Sequence, residues 1–294
     1  MKNVLIIGSG GQVSTALRNT KPNWCTVKVA GRSLIDLTQA DMIRPFVATS
    51  GADLIINAAA YTNVDKAEEE PKLAEQINAI APGQLALGAA DLSVPIIHIS
   101  TDYVFNGEGQ LPYKESDSTG PLGVYGRTKL AGEKAVAMAN QKHVVVRTAW
   151  VFSAYGQNFV KSMLKLGAER DRLGIVADQF GSPTSANDLS LAIWLIGERI
   201  LFNPQVDDYG VVHAAGSGIA TWYDLAKATF SMNKRRTVTN PTVEPILTRE
   251  YPTPARRPKN SRLDLSRLEQ NFGIKMRPWH ESLSDVIDQI HGLD

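Results

Sequence analysis

The chain opens on Val4-Leu5-Ile6-Ile7 followed at once by Gly8-Ser9-Gly10-Gly11, and no other stretch so narrows what it can fold into. Four apolar residues running into a glycine turn read as a strand covered on both faces. The segment after the turn, from Gln12 to Asn19, reads as a helix. A strand that passes through glycines into a helix lets backbone amides approach a pyrophosphate with no Cβ in the way. The helix N-terminus then adds partial positive charge. The spacing reads as Gly8-x-Gly10 or as Gly8-x-x-Gly11, and in either register the third glycine is replaced, by Val13 or by Ser14. Such glycines can also be a plain turn. Their place at the head of a strand–helix–strand unit favours the cofactor.

Further short apolar runs follow at Thr26 to Ala30, Asp53 to Asn57, Pro95 to Ile99 and His143 to Arg147, the last two after helical segments rich in Ala, Leu, Glu and Lys. Strands of this kind alternating with helices make a parallel sheet with helices on each side. The predicted class is α/β, a Rossmann-type doubly wound parallel sheet with a smaller, mainly C-terminal substrate lobe. Residues 1–150 form the dinucleotide-binding domain. Residues 151–294 form most of the lobe, with some segments returning to the first domain. Pro241, Pro245, Pro252, Pro254 and Pro258 crowd together too densely for a regular element, with helical pieces near Trp222 to Phe230 and Glu281 to Ile290.

Composition removes several classes of function. With 31 Lys plus Arg against 30 Asp plus Glu, no charge excess is available to hold nucleic acid or a membrane surface. Lys234-Arg235-Arg236 is too short a basic run to change that and reads as surface. Cys25 is the only cysteine, so neither an intrachain disulfide nor a cysteine metal site can form. The five histidines are scattered without ligand spacing, and no metal site is assigned from them. The N-terminal apolar run is too short for a signal peptide, and no stretch approaches a membrane span, so a soluble, cytoplasmic protein is expected.

The second strand ends Val29-Ala30-Gly31-Arg32, with no acid there to accept from a ribose 2′-hydroxyl. Arg32 could instead meet the 2′-phosphate of NADPH, which leaves NADH as the alternative and a solvated loop arginine as the bland one. Tyr125-Gly-Arg-Thr-Lys129 places a phenol and an ammonium at i and i+4 on one helix face. The cation is expected to lower the tyrosine pKa, so that Tyr125 hands a proton to a ketone oxygen while Lys129 reaches the ribose. A second such pair, Tyr223 and Lys227, lies in the irregular half, where packing is the expected role. Thr101, at the end of the strand Pro95 to Ile99 continues into, would be carried to the same crevice as Tyr125 and complete a Thr–Tyr–Lys set.

Glycine turn, strand-end Thr and Tyr-x-x-x-Lys together resemble the extended short-chain dehydrogenase/reductases, and within them the dTDP-4-dehydrorhamnose reductase family. The similarity is carried by Asn57-Ala-Ala-Ala-Tyr-Thr-Asn-Val-Asp65, Ser100-Thr-Asp-Tyr-Val-Phe105, Val124-Tyr-Gly126, Arg147-Thr-Ala-Trp-Val-Phe152, Asp178-Gln-Phe-Gly-Ser-Pro-Thr184 and Tyr251-Pro-Thr-Pro-Ala-Arg-Arg-Pro258. It implies reduction of the C4 ketone of dTDP-4-dehydro-6-deoxy-L-mannose to dTDP-L-rhamnose by NADPH. In that reading Thr101, Tyr125 and Lys129 are catalytic. Gly8, Gly11, Gln12, Val13, Arg32, Asp36, Leu37, Ala60, Tyr61 and Thr62 hold the cofactor together with Tyr125 and Lys129. Thr101, Asp102, Trp150, Arg256 and Arg257 hold the dTDP-keto-sugar.

By charge alone, Arg249, Arg256, Arg257, Lys259 and Arg262 suit a nucleotide diphosphate; a solvated basic loop is the alternative. Some members of the family form a dimer around Mg²⁺ held by glutamates, where this chain has Ala16 and Asn187-Asp188. Mg²⁺ and the choice between monomer and homodimer therefore stay open. The competing readings are a dTDP-6-deoxy-L-talose-forming reductase of the same family and a non-catalytic NADP-binding regulatory subunit.

Overall fold

The computed structural model describes residues 1–205, 208–233 and 240–293; the basic run Lys234-Arg235-Arg236 lies outside them. Along the chain come β1 (Lys2–Ile7), α1 (Gln12–Asn19), β2 (Cys25–Ala30), α2 (Ala40–Ala48), β3 (Leu54–Asn57), α3 (Val64–Glu69), α4 (Pro71–Glu75), α5 (Ala81–Asp91), β4 (Ile96–Thr101), α6 (Val124–Ala139) and β5 (His143–Thr148). There follow β6 (Val151–Phe152), α7 (Phe159–Glu169), β7 (Arg172–Val176), β8 (Phe180–Gly181), β9 (Thr184–Ser185), α8 (Ala186–Phe202), β10 (Gly210–His213), β11 (Ala220–Thr221), α9 (Trp222–Met232), β12 (Thr242–Ile246), α10 (Ser266–Phe272) and α11 (Trp279–Leu293).

Six strands form one parallel sheet in the order β10-β5-β4-β3-β1-β2. Val4 to Ile7 and Leu54 to Asn57 are all buried, as central strands covered on both sides must be. On one face the core joins Val4, Ile6 and Ile56 to Leu17 of α1 and to Leu189, Ile193, Ile196 and Ile200 of α8. On the other, Leu5, Ile7 and Ile55 meet Ile43 and Val47 of α2, Leu85 and Ala89 of α5, and Val136 of α6. Strand order reverses between β1 and β3. In doubly wound sheets the crevice outside the carboxyl ends at such a switch point is where ligands bind.

The proline-rich stretch does hold a regular element. Thr242–Ile246 pairs in parallel with Arg172–Val176, Pro245 included. Thr242 donates its N–H to the Asp171 carbonyl, so even-numbered residues face the partner strand. The missing N–H of Pro245 then falls on the outer edge, where it costs no ladder bond. Ser14, in the place of a third glycine, is buried in α1 and bonds the Gly11 carbonyl at 3.0 Å. A small side chain is thus accommodated there.

Candidate active site

β1 is followed at once by Gly8, whose φ of +103° only glycine adopts freely, and a Cβ there would stand 3.1 Å from the Ala59 nitrogen. That close approach seals the turn against the loop after β3. Gly11 is the N-cap of α1, and no side chain caps the helix, so its first N–H groups are left for a ligand. Above them opens a cleft of about 990 Å³ over the switch point. Its lining includes Gly8, Gly11, Gln12, Val13, Arg32, Asp36, Leu37, Ala60, Thr62, Thr101, Asp102, Tyr125, Lys129 and Trp150.

Three of the expected site residues stand elsewhere. Tyr61 turns its ring away from the cleft, and its hydroxyl donates to Glu70 at 2.6 Å. Its backbone is held on both sides by Asn78, which sits in a π-helical turn, Gln76–Ile80, between α4 and α5. Arg256 and Arg257 line a second cavity of about 620 Å³ beside Gln179, Thr248 and Lys259. Arg257 is already engaged there, meeting Asp65 at 2.7 and 3.2 Å, while Arg256 is exposed.

β4 delivers Thr101 and Asp102 to the cleft, and α6 delivers Tyr125 and Lys129. The Thr101 hydroxyl donates to Asp102 Oδ1 at 2.9 Å and lies within hydrogen-bonding reach of the Tyr125 phenol. The Tyr103 ring meets Tyr125 edge-on, centroids 5.9 Å apart. Beneath, Glu133 of α6 and Arg147 of β5 form a buried bidentate pair, with Nη2–Oε2 at 2.7 Å, and Ser100 donates to the same carboxylate. This ties α6 to the sheet next to Tyr125 and Lys129.

The electrostatics differ from what the sequence predicted. Burial, with the Asp102 charge adding to it, pushes the Tyr125 phenol up to about 12; Thr101 offsets this only in part, and Lys129 is not among the causes. The reason is the direction of the lysine. Fully buried, Lys129 donates to the Ile99 carbonyl at 2.6 Å and approaches His98 Nε2 at 3.4 Å. Burial brings Lys129 itself down to about 8, with Glu133 opposing. Burial also lifts the Asp102 carboxyl to about 7; its Oδ2 has no hydrogen bond of good geometry, although the Ser261 hydroxyl on that side draws the value back somewhat. A phenol that stays protonated across the neutral range suits proton donation better than proton abstraction.

Trp150 holds a left-handed backbone, φ 46°, and stacks on Trp222 with centroids 3.6 Å apart. Both rings line the cleft. Trp222 Nε1 donates to Gln179, whose amide donates to Thr248, so the wall between the two cavities is one hydrogen-bonded unit. Trp222 was invisible from sequence, as was the clamp on Gln12, whose side chain meets the Val151 carbonyl, Ser153 and Asn158. The second Tyr-x-x-x-Lys pair is a packing contact outside the cleft, Lys227 over the Tyr223 ring at 5.3 Å.

The model of the RmlD substrate binding domain matches residues 1–291. The chain belongs to the RmlD family. It is similar to the dTDP-4-dehydrorhamnose reductase of Sinorhizobium fredii, 47% identical over 96% of this chain and 95% of that one. It is also similar to that of Escherichia coli K12, 38% identical over 98% of each. Among solved structures, a dTDP-4-dehydrorhamnose reductase from Clostridium acetobutylicum superposes with a TM-score of 0.91 at 38% identity, covering 98% of this chain and 99% of the other. The Bacillus anthracis enzyme, solved in complex with NADP, gives 0.90 at 33% identity, with the same coverage of 98% and 99%.

The extended short-chain dehydrogenase/reductase resemblance and the α/β fold expected of an RmlD chain are thus borne out. Among the described residues, no group of three or more His, Cys, Asp or Glu side chains could hold a metal ion. Ala16 is buried without a donor, and Asp188 is taken by Ser282 and Arg277. No helix among these residues is long and apolar enough to cross a membrane.

Proposed function

We propose that the chain reduces the C4 ketone of dTDP-4-dehydro-6-deoxy-L-mannose to dTDP-L-rhamnose, with NADPH as reductant. The observation that carries the reading is Tyr125 in the cleft beside Thr101, kept protonated by its surroundings, within a chain of full-length RmlD membership. Bound NADPH supplies the hydride.

The residues of the chain do the rest. The uncapped amides at Gly11, Gln12 and Val13 bind the pyrophosphate, with Gly8 giving the close approach. Asp36, Leu37, Ala60 and Thr62 line the nucleoside side, and exposed Arg32 at the end of β2 offers its guanidinium to the 2′-phosphate. Thr101 and Asp102 hold the sugar by its oxygens. As C4 becomes tetrahedral, Tyr125 gives its proton to O4, and Lys129 orients the ribose. Trp150, backed by Trp222, closes the site on the apolar side of the sugar. The nucleotide of the substrate lies toward the second cavity, where exposed Arg256 and Lys259 face its diphosphate and Arg257 braces the wall.

Incubation with NADPH and the keto-sugar, followed by NMR of the product, tests this. Formation of dTDP-L-rhamnose is expected. Formation of dTDP-6-deoxy-L-talose contradicts the facial outcome, and NADPH binding without turnover contradicts the reductase reading.

A further inference from the structure

Beneath the cleft, two polar residues with no part in the mechanism above meet across the sheet. His98 and Asn57 are register partners in β4 and β3, both fully buried, with Asn57 Nδ2 3.0 Å from His98 Nδ1. The orientation of the asparagine amide follows from its other bond. Asn57 Oδ1 accepts the Ala59 N–H at 3.1 Å. Turned over, its NH₂ would confront that N–H, donor against donor. Asn57 therefore donates to His98 Nδ1, which must be the bare nitrogen.

Burial holds His98 neutral, so its one ring proton sits on Nε2. That N–H points at the Lys129 nitrogen, 3.4 Å away. An ammonium has three donors and no lone pair, so it cannot receive this N–H; a neutral amine can. The short bond of Lys129 goes to the Ile99 carbonyl at 2.6 Å, which either protonation state can make.

We propose that Asn57 and His98 form a tautomer lock on Lys129: by presenting Nε2–H to the lysine nitrogen, His98 favours the neutral amine and so sets where the lysine gains its proton. His98 is a positioning residue, since it reaches the chemistry only through Lys129. The lock acts where it matters, because burial already brings Lys129 to about 8. The other charged and titratable groups around the lysine are Glu133 of α6, itself paired with Arg147 of β5, and Tyr125 and Asp102, which line the same cleft. Glu133 pulls toward the ammonium; the imidazole N–H opposes it. The functional weight of this inference rests on the reading of Lys129 as the partner of Tyr125.

The test needs neither substrate nor turnover, so its failure is distinct from failure of the reductase reading. In protein carrying nitrogen-labelled histidine, NMR reads which ring nitrogen of His98 bears hydrogen. A protonated Nε2 with a bare Nδ1 is expected; a protonated Nδ1 overturns the lock. In His98→Phe, which keeps a buried aromatic ring but removes both ring nitrogens, the Lys129 titration followed by side-chain NMR should move up by about one unit. That is a tenfold gain in proton affinity, the size of one buried hydrogen bond. An unmoved titration overturns the control of Lys129. Should that variant not fold, the tautomer of the unaltered protein decides alone.

Discussion

Gly126 of α6 rests against the turn after β4 so closely that a Cβ on it would stand 2.2 Å from the Tyr103 carbonyl oxygen. That backbone contact, together with the edge-on Tyr103 ring, sets its chain neighbour Tyr125 beside Thr101. Gly126→Ala must push helix and turn apart, at a cost of about 1–3 kcal/mol typical of overpacking. The variant should fold and bind NADPH but lose at least about tenfold in kcat, because an ångström of misplacement at reacting groups is expensive. Steady-state kinetics beside a denaturant melt check this.

The Glu133–Arg147 pair is buried on both sides, each side chain 5% exposed. Removing one partner leaves the other charge uncompensated, which costs about 3–5 kcal/mol. Arg147 is the more vulnerable because its Nη1 already lacks a partner. Glu133→Ala should thus unfold at markedly lower urea concentration than the unaltered chain, with an unchanged m-value.

Asp102 gives a pH signature. Its carboxyl stands near 7 in the fold, raised chiefly by burial, against about 3.9 unfolded. Between those values the folded state binds the extra proton, so stability falls as pH rises through that window and levels off above it. Asp102→Asn should abolish this part of the slope. Urea melts at pH values from about 4 to 8 measure it, and an unaltered slope in the variant contradicts the assignment.

Trp222 covers one face of Trp150, stacked on it within 5° of parallel. Trp222→Ala removes that support and the bond to Gln179. With aromatic stacking worth about 0.5–1.5 kcal/mol, KM for the keto-sugar should rise by several-fold to roughly tenfold. NADPH affinity should change far less, because the glycine turn and β2 end are untouched.

Much of this architecture was written locally and could be read so. The run Val4 to Ile7 before Gly8 announces β1 and the turn, and α1 begins and ends where the helical pattern does, at Gln12 and Asn19. Tyr125 and Lys129 were legible because four residues along a helix is a fixed geometry. What escaped depends on residues far apart. Trp222 meets Trp150 only after the lobe folds back, and Gln12 is clamped by Val151, Ser153 and Asn158 from another part of the chain. The expected lowering of the tyrosine pKa failed for the same reason. Spacing places Lys129 on the right helix face, but only the packed sheet turns its nitrogen toward His98 and Ile99. Pro245 misled because a strand edge that needs no N–H has no mark in the sequence.

In the proposed reaction Tyr125 gives the proton to O4. Single-turnover reduction of the dTDP-keto-sugar by preloaded enzyme tests it most directly, comparing Tyr125→Phe with the unaltered chain. The variant should bind NADPH as before and reduce the sugar at least about a hundredfold more slowly. A reduction rate within a few-fold of the unaltered chain would mean that Tyr125 is not the proton donor.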